Sequence, residues 1–259
     1  MDVYFHMVRA YFKARSQYRK NFFCSILIAI PYQITSIAVL YGVFSAFHTM
    51  DGWSYIEIVF LGALLNLVTG LANGLFKHMR YLENDIISGN LDIFLVRPRT
   101  LFFQIMIQEI DLFSILGMGV PNLLIVIVCL SKMSICWSLR KVIFIGEVIL
   151  FGVLFWGCVF SLIGGLAFWF YRTNHVCMTF IYSVQDFVQY PISIYNKIII
   201  FFLSCIFPVA FVNYYPLVFL RMDKLYYAEI AMAVILLAAA ALVYLLWKRG
   251  LSRYQGTGS

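Results

Sequence analysis

The sequence predicts an all-α membrane protein with six spanning helices, on three observations. The 259 residues are 63% hydrophobic and 12% charged, where soluble domains carry about 25% charged residues. The chain contains apolar runs of the length, about 20 residues, that a helix needs to cross a bilayer. Lys and Arg gather between alternate runs, the pattern that orients a chain in a membrane. A net charge of +7 would point to nucleic acid in a soluble protein. Here the bases flank apolar spans, so membrane orientation accounts for them and no nucleic-acid partner is expected.

The elements follow in order. Residues 1–21 read as an amphipathic cytoplasmic helix on the membrane surface, because Val3, Tyr4, Met7, Val8, Tyr11 and Phe12 recur at helical spacing beside Arg9, Lys13 and Arg15. The next apolar run is too long for a signal-peptide core and has no small-x-small cleavage site. It is read as the first span, 22–47. The further spans are expected at 55–76, 105–130, 142–170, a weaker 176–194, and 226–247, so that 22–259 is one six-helix transmembrane domain. Thirteen Lys and Arg fall in the N-terminus, residues 77–99, Arg172 and the C-terminus, against six elsewhere. Both termini and the segment after the second span are therefore expected in the cytoplasm.

That segment, 80–99, is the most informative part of the chain. Glu83, Asp85, Asp92, Arg97 and Arg99 crowd together with Gly89 and Pro98, and Ile86, Ile87, Leu91, Ile93 and Phe94 are interleaved with them. A compact polar element on one side of a membrane protein is a place to meet a water-soluble partner. Gly89 is expected to end a short helix, and Pro98 to keep the chain extended before the third span.

Motifs for catalysis are missing. His6, His48, His78 and His175 are isolated, and there is no HExxH, GxSxG or Walker loop. His48 and Asp51 read as ordinary loop residues rather than an acid–base pair. The six cysteines form no CxxC pair and read as small apolar fillers. No metal and no bound cofactor is expected on this chain. Gly70 and Gly74, Gly117 and Gly119, and Gly164 and Gly165 mark close helix packing.

Polar groups inside apolar runs are candidates for a cargo pathway, because leaving them in lipid is costly. Asn66, Asn73, Asn122 and Asp186 are the residues singled out, Asp186 as the deepest acid. Glu57, Glu109, Asp111, Glu147 and Glu229 fall near span ends, where water or headgroups reach.

Residues 195–220 are expected to form a re-entrant pair of short helices on the outer side. Pro191, Pro208 and Pro216 disfavour a straight span, and Asn213, Tyr214 and Tyr215 suit an interface.

Taken together, Gly89-Asn90-Leu91-Asp92 with Leu95-Val96-Arg97-Pro98, Phe168-Trp169, Tyr190-Pro191-Ile192-Ser193-Ile194-Tyr195, the run from Pro208 to Pro216, and Gly250-Leu251-Ser252-Arg253-Tyr254 resemble an ABC-2-type permease of the six-span subgroup. The resemblance spans most of the chain. It implies a permease in a bacterial-type plasma membrane that pairs with a second permease, a related chain or a second copy, and docks a cytoplasmic ABC ATPase dimer. ATP and Mg would sit on that partner. Residues 80–99 would be the coupling helix, with Glu83, Asp85 and Asp92 facing bases in the ATPase groove, Arg97 complementing acids, and Gly89, Leu91 and Pro98 shaping the element. The implied activity is export of an amphipathic, drug-like, peptide or lipid cargo, drawn partly from membrane lipid. A secondary transporter would show internal repeats, and a membrane enzyme a cluster of His, Asp, Glu or Ser; neither is evident. A non-transporting scaffold or assembly protein is the remaining alternative.

Overall fold

The computed structural model describes residues 31, 33–42, 44–45, 52–170, 173–222 and 227–254. Among these residues the chain is helical, without a β-sheet. In chain order the helices are α1 (Gln33–Gly42), α2 (Tyr55–Phe76), α3 (Leu82–Ile87), α4 (Asn90–Val96) and α5 (Leu101–Gln108). Then come α6 (Ser114–Lys132), α7 (Leu139–Leu166) and α8 (Thr173–Val188). They end with α9 (Lys197–Ile206), α10 (Tyr214–Met222) and α11 (Ala228–Arg253). The expected surface helix over 1–21 lies outside the described residues. So does most of the expected first span, of which α1 is the main described part.

Four helices among the described residues are long and apolar enough to cross a membrane: α2 with its continuation, α6, α7 and α11. The bent pair α9–α10 is a fifth candidate. The six expected spans are thus met in part: α7 runs Leu139–Leu166 against an expected 142–170, α11 runs Ala228–Arg253 against 226–247, and two further spans depart at a break in the helix. The third does not begin at Ile105, because α5 stops at Gln108, Glu109 is extended (φ −140°, ψ 105°), and the long helix restarts at Ser114. The fifth stops at Val188 rather than Ile194. At 16 residues it reaches about 24 Å, short of a hydrocarbon core of about 30 Å. Pro191, three residues on, explains the stop.

α2 is the central helix. Its start is fixed by a capping box in which Ser54 and Glu57 each accept from the other's backbone N–H, an arrangement worth about 1 kcal/mol. Glu57 therefore has a structural task at the helix start. Two thirds of α2's apolar window is buried, against 17% for α11, so α2 is the core and α11 lies at the rim. α2 packs on α6 and α7, and α7 on α11. Gly70 and Gly74 lie against the first turns of α6, at Met118, Gly119 and Ile115. This small-residue face joins two helices of one chain.

The bundle sorts its charges to two ends. At one end Arg221 lies 3.7 Å from Glu57 and Arg140 3.4 Å from Glu229, while Lys141 Nζ donates to the Leu220 carbonyl at 3.2 Å. At the other end lie Lys77, Arg80 and the segment through Arg99, close to the last turns of α7 and α11. The α9–α10 pair starts and finishes at the first end. Ser193, just before α9, accepts from Trp53 Nε1, and Arg221 donates to the Gly52 carbonyl. The bend between the two arms, 78°, sits at Phe207, whose ring meets Phe155, Trp156 and Phe180 deep in the bundle.

Candidate functional site

The site grows from the end of α2. Beyond Phe76 the chain tightens into a 3-10 turn, Lys77–Tyr81, then forms α3 and α4 at an angle set by Gly89. Gly89 has φ +73°, a left-handed conformation that side chains with a Cβ adopt at a cost. The Ser88 N–H closes on the Asn84 carbonyl, the Gly89 N–H on Ile86 and the Asp92 N–H on Gly89. After α4, Arg97 is extended (φ −75°, ψ 136°), as a residue before proline must be.

Three contacts clamp this hairpin to the bundle. Met79 and Leu82 lie over Gly164 of α7, where a Cβ would meet the Met79 carbonyl. Leu82 and Leu91 are completely buried. Gln104 of α5, 5% exposed, donates from Nε2 to the carbonyls of Phe94 at 3.1 Å and Arg99 at 3.0 Å, holding the end of α4 and the chain after it.

A polar network runs beneath the hairpin. Lys77 Nζ reaches Asp111 Oδ2 at 2.9 Å and Glu109 Oε1 at 3.5 Å. Asp111 also accepts from the Phe113 N–H and the Ser114 hydroxyl, both at 3.1 Å, and so caps α6. Its own N–H donates to the Gly74 carbonyl at 2.8 Å. Burial pushes the Asp111 carboxyl up, but the Lys77 ammonium and the Ser114 donors outweigh it and hold the group below its ordinary value. His78 Nε2 lies 2.9 Å from Asp85 Oδ2, and its Nδ1 3.7 Å from Glu109. Arg80 Nη1 donates to Asn73 Oδ1 at 3.0 Å. Through these contacts α2, α3 and the loop before α6 are joined. The network links the hairpin to the end of α2 and the start of α6.

Residues 30–258 match the family described as ABC-2 family transporter protein. The chain belongs to this family. Neither the curated proteins nor the solved structures compared with the chain give a match. An ABC-2 transporter chain is a multi-pass membrane protein, the permease component of an ABC transporter. Members are normally non-catalytic and work with an ABC ATPase. Among the described residues no group of three or more His, Cys, Asp or Glu is placed to hold a metal ion.

In this ABC-2 protein the residues singled out from sequence are placed as follows. Glu83 and Asp85 are turned inward, 9% and 4% exposed, because Asp85 takes His78 as its partner and Glu83 lines a cavity beside Arg80. Asp92 is half-buried near Tyr254, whose hydroxyl is pushed up by burial and then by that carboxylate. The outward face of the hairpin is instead Asn84, Ile87, Ser88, Asn90, Ile93, Val96 and Arg97, with Val96 84% exposed.

Asn73 is tied to Thr69 and Arg80, and the buried Asn122 donates to the Met118 carbonyl at 2.7 Å. Asn66 is half-buried. Asp186 is exposed in the last turn of α8. Among the described residues no hydrogen bond joins any two of these four. Of the outer segment, Asn213 is fully buried, donating to the Val188 carbonyl at 2.6 Å and accepting from the Tyr214 N–H at 2.8 Å. Tyr215 pairs with Ser204 at 2.9 Å and Tyr214 with the Trp53 ring, while Pro191, Pro208 and Pro216 are buried. Two distant motif pieces meet: Phe168 packs on Trp247 and Tyr254 and lies over Gly250.

Lys77, His78 and Gln104 are the network residues that pattern reading passed over. The available signal was weak: one Gln inside an apolar run, and one Lys-His pair directly after a span.

Proposed function

We propose that this chain is the permease half of an ABC exporter and that the hairpin formed by α3 and α4 is where its ATPase docks on the cytoplasmic face. The observation that carries the reading is the hairpin's construction. It presents exposed apolar side chains, Ile87, Ile93 and Val96, beside Asn84, Asn90 and Arg97. Its inner side is locked to α7 at Gly164 and, through His78 and Lys77, to the loop before α6. ATP and Mg belong to the partner, whose dimer draws together on binding ATP. The hairpin then passes that motion to α2, α6 and α7. The excess of Lys and Arg at this end favours the cytoplasm.

The α9–α10 pair is read as re-entrant from the outer leaflet, its irregular turn shielded by protein as the membrane requires. The sparsely buried face of α11 and apolar span surfaces favour a second permease, chain or copy, and an amphipathic cargo drawn partly from lipid.

Ile87→Asp combined with Val96→Asp tests the docking face, since both side chains are exposed and the fold does not need them. The double variant is expected to reach the membrane at normal level and lose the co-purifying ATPase. Undiminished co-purification places the docking face elsewhere.

A further inference from the structure

A cavity of about 670 Å3 lies between the turn Lys77–Tyr81, α3 and the start of α8, lined by Arg80, Tyr81, Glu83, Asn84, Ile87, Asn174 and His175. Its deepest cation is Arg80, 8% exposed. The guanidinium donates to Asn73 and to the Met178 sulfur and lies against the Tyr81 and Phe160 rings. Its Nε is buried with no hydrogen-bond partner, and no ion pair to a carboxylate is found for it among the described residues. A buried charge in that condition is costly unless something neutralises it. Asn174 points to the same need: it is 8% exposed and its Oδ1 has no partner. The amide's oxygen and nitrogen are interchangeable by a flip, so it can offer a donor. Asn174 and His175 belong to the first turn of α8, a helix of 16 residues. The first turn of an α-helix leaves backbone N–H groups without intrahelical partners and carries the positive end of the dipole, and two residues of that turn line the cavity.

We propose that this cavity binds a phosphate group. Arg80 supplies the charge-assisted hydrogen bond, Asn174 and the first turn of α8 supply neutral donors, and His175 stands at the exposed mouth. Among the described residues Glu83 is the carboxylate that lines the cavity. The cavity lies where the helices leave the bilayer under the reading of this end as cytoplasmic, on which a lipid source rests. The source is a phospholipid headgroup of the inner leaflet or a soluble phosphate, and the shared chemistry is the phosphate.

The test is thermal unfolding of the purified, delipidated full chain with three additives: dihexanoylphosphatidylethanolamine, inorganic phosphate, and dihexanoylglycerol, which has the same tails and no phosphate. Stabilisation by the first and not the third is expected. Binding should fall about tenfold in Arg80→Gln, the loss of one charge-assisted hydrogen bond, and less in Arg80→Lys. His175→Ala, at the exposed mouth, keeps the fold and is expected to weaken binding about threefold, less than one full hydrogen bond. Stabilisation by inorganic phosphate alone supports the site with a soluble source. No effect of either phosphate probe overturns the proposal, as does equal stabilisation by dihexanoylglycerol or unchanged affinity in both Arg80→Gln and His175→Ala. Stabilisation only on adding the partner ATPase, with both phosphate probes inert, also overturns it. ATPase co-purification is read separately, so failure of docking and failure of this site are distinguishable.

Discussion

Lys77 and Asp111 meet at 2.9 Å, joining the first residue after α2 to the residue that caps α6. The pair is mostly shielded, with the Lys77 side chain 24% and the Asp111 side chain 8% exposed. Groups in one such network do not act independently. Lys77→Met and Asp111→Asn should each lower the melting temperature, and together by less than their sum. A coupling of about 1–3 kcal/mol is expected from a double-mutant cycle on such a contact. Additive losses would show that the contact carries no stability.

The same pair sets a pH dependence. Asp111 in the fold holds its proton less readily than in the unfolded chain, where its ordinary value is near 3.8. Its stabilising contribution is complete above that value and fades as pH falls through the lower folded value. The melting temperature of the wild type should therefore drop on acidification below pH ~4, where unfolded aspartates titrate, more steeply than that of Asp111→Asn. Parallel curves would remove Asp111 from the account.

Gly164 is where backbone meets backbone. A Cβ there would meet the Met79 carbonyl. Gly164→Ala should cost about 1–3 kcal/mol, as overpacking does, and should loosen the hairpin, read as faster proteolysis between Lys77 and Arg99. Unchanged proteolysis and stability would contradict the close approach.

Gly89 gives a contrast within one position. Its φ of +73° penalises Ala by about 1 kcal/mol, whereas Asn tolerates this region better. Gly89→Ala should therefore weaken ATPase co-purification and Gly89→Asn should preserve it. Equal behaviour of the two variants would mean that the turn's conformation is not used.

Hydropathy revealed α2, whose bounds match the reading from sequence, and came within a few residues of α7 and α11, because uninterrupted apolar runs have one solution in lipid. It failed at 105–113, where Glu109 and Asp111 break the helix for a partner, Lys77, that is distant in sequence. It overextended the fifth run, since Tyr190, Ile192 and Ile194 are apolar yet follow the helix stop at Val188. Gly89 and Pro98 announced the hairpin's turns, because their backbone preferences are local. Which acids face outward was not legible: Glu83 and Asp85 look solvated by composition, but Asp85 turns inward to His78 and Glu83 lines a cavity.

The central claim is that this permease works with a separate ATPase held at the α3–α4 hairpin. The most direct measurement is a gentle-detergent purification of the chain from its native membrane, with every retained subunit identified and quantified. The account predicts a stoichiometric ABC ATPase that is lost in Ile87→Asp/Val96→Asp. Recovery of an intact, folded chain with no ATPase would contradict it.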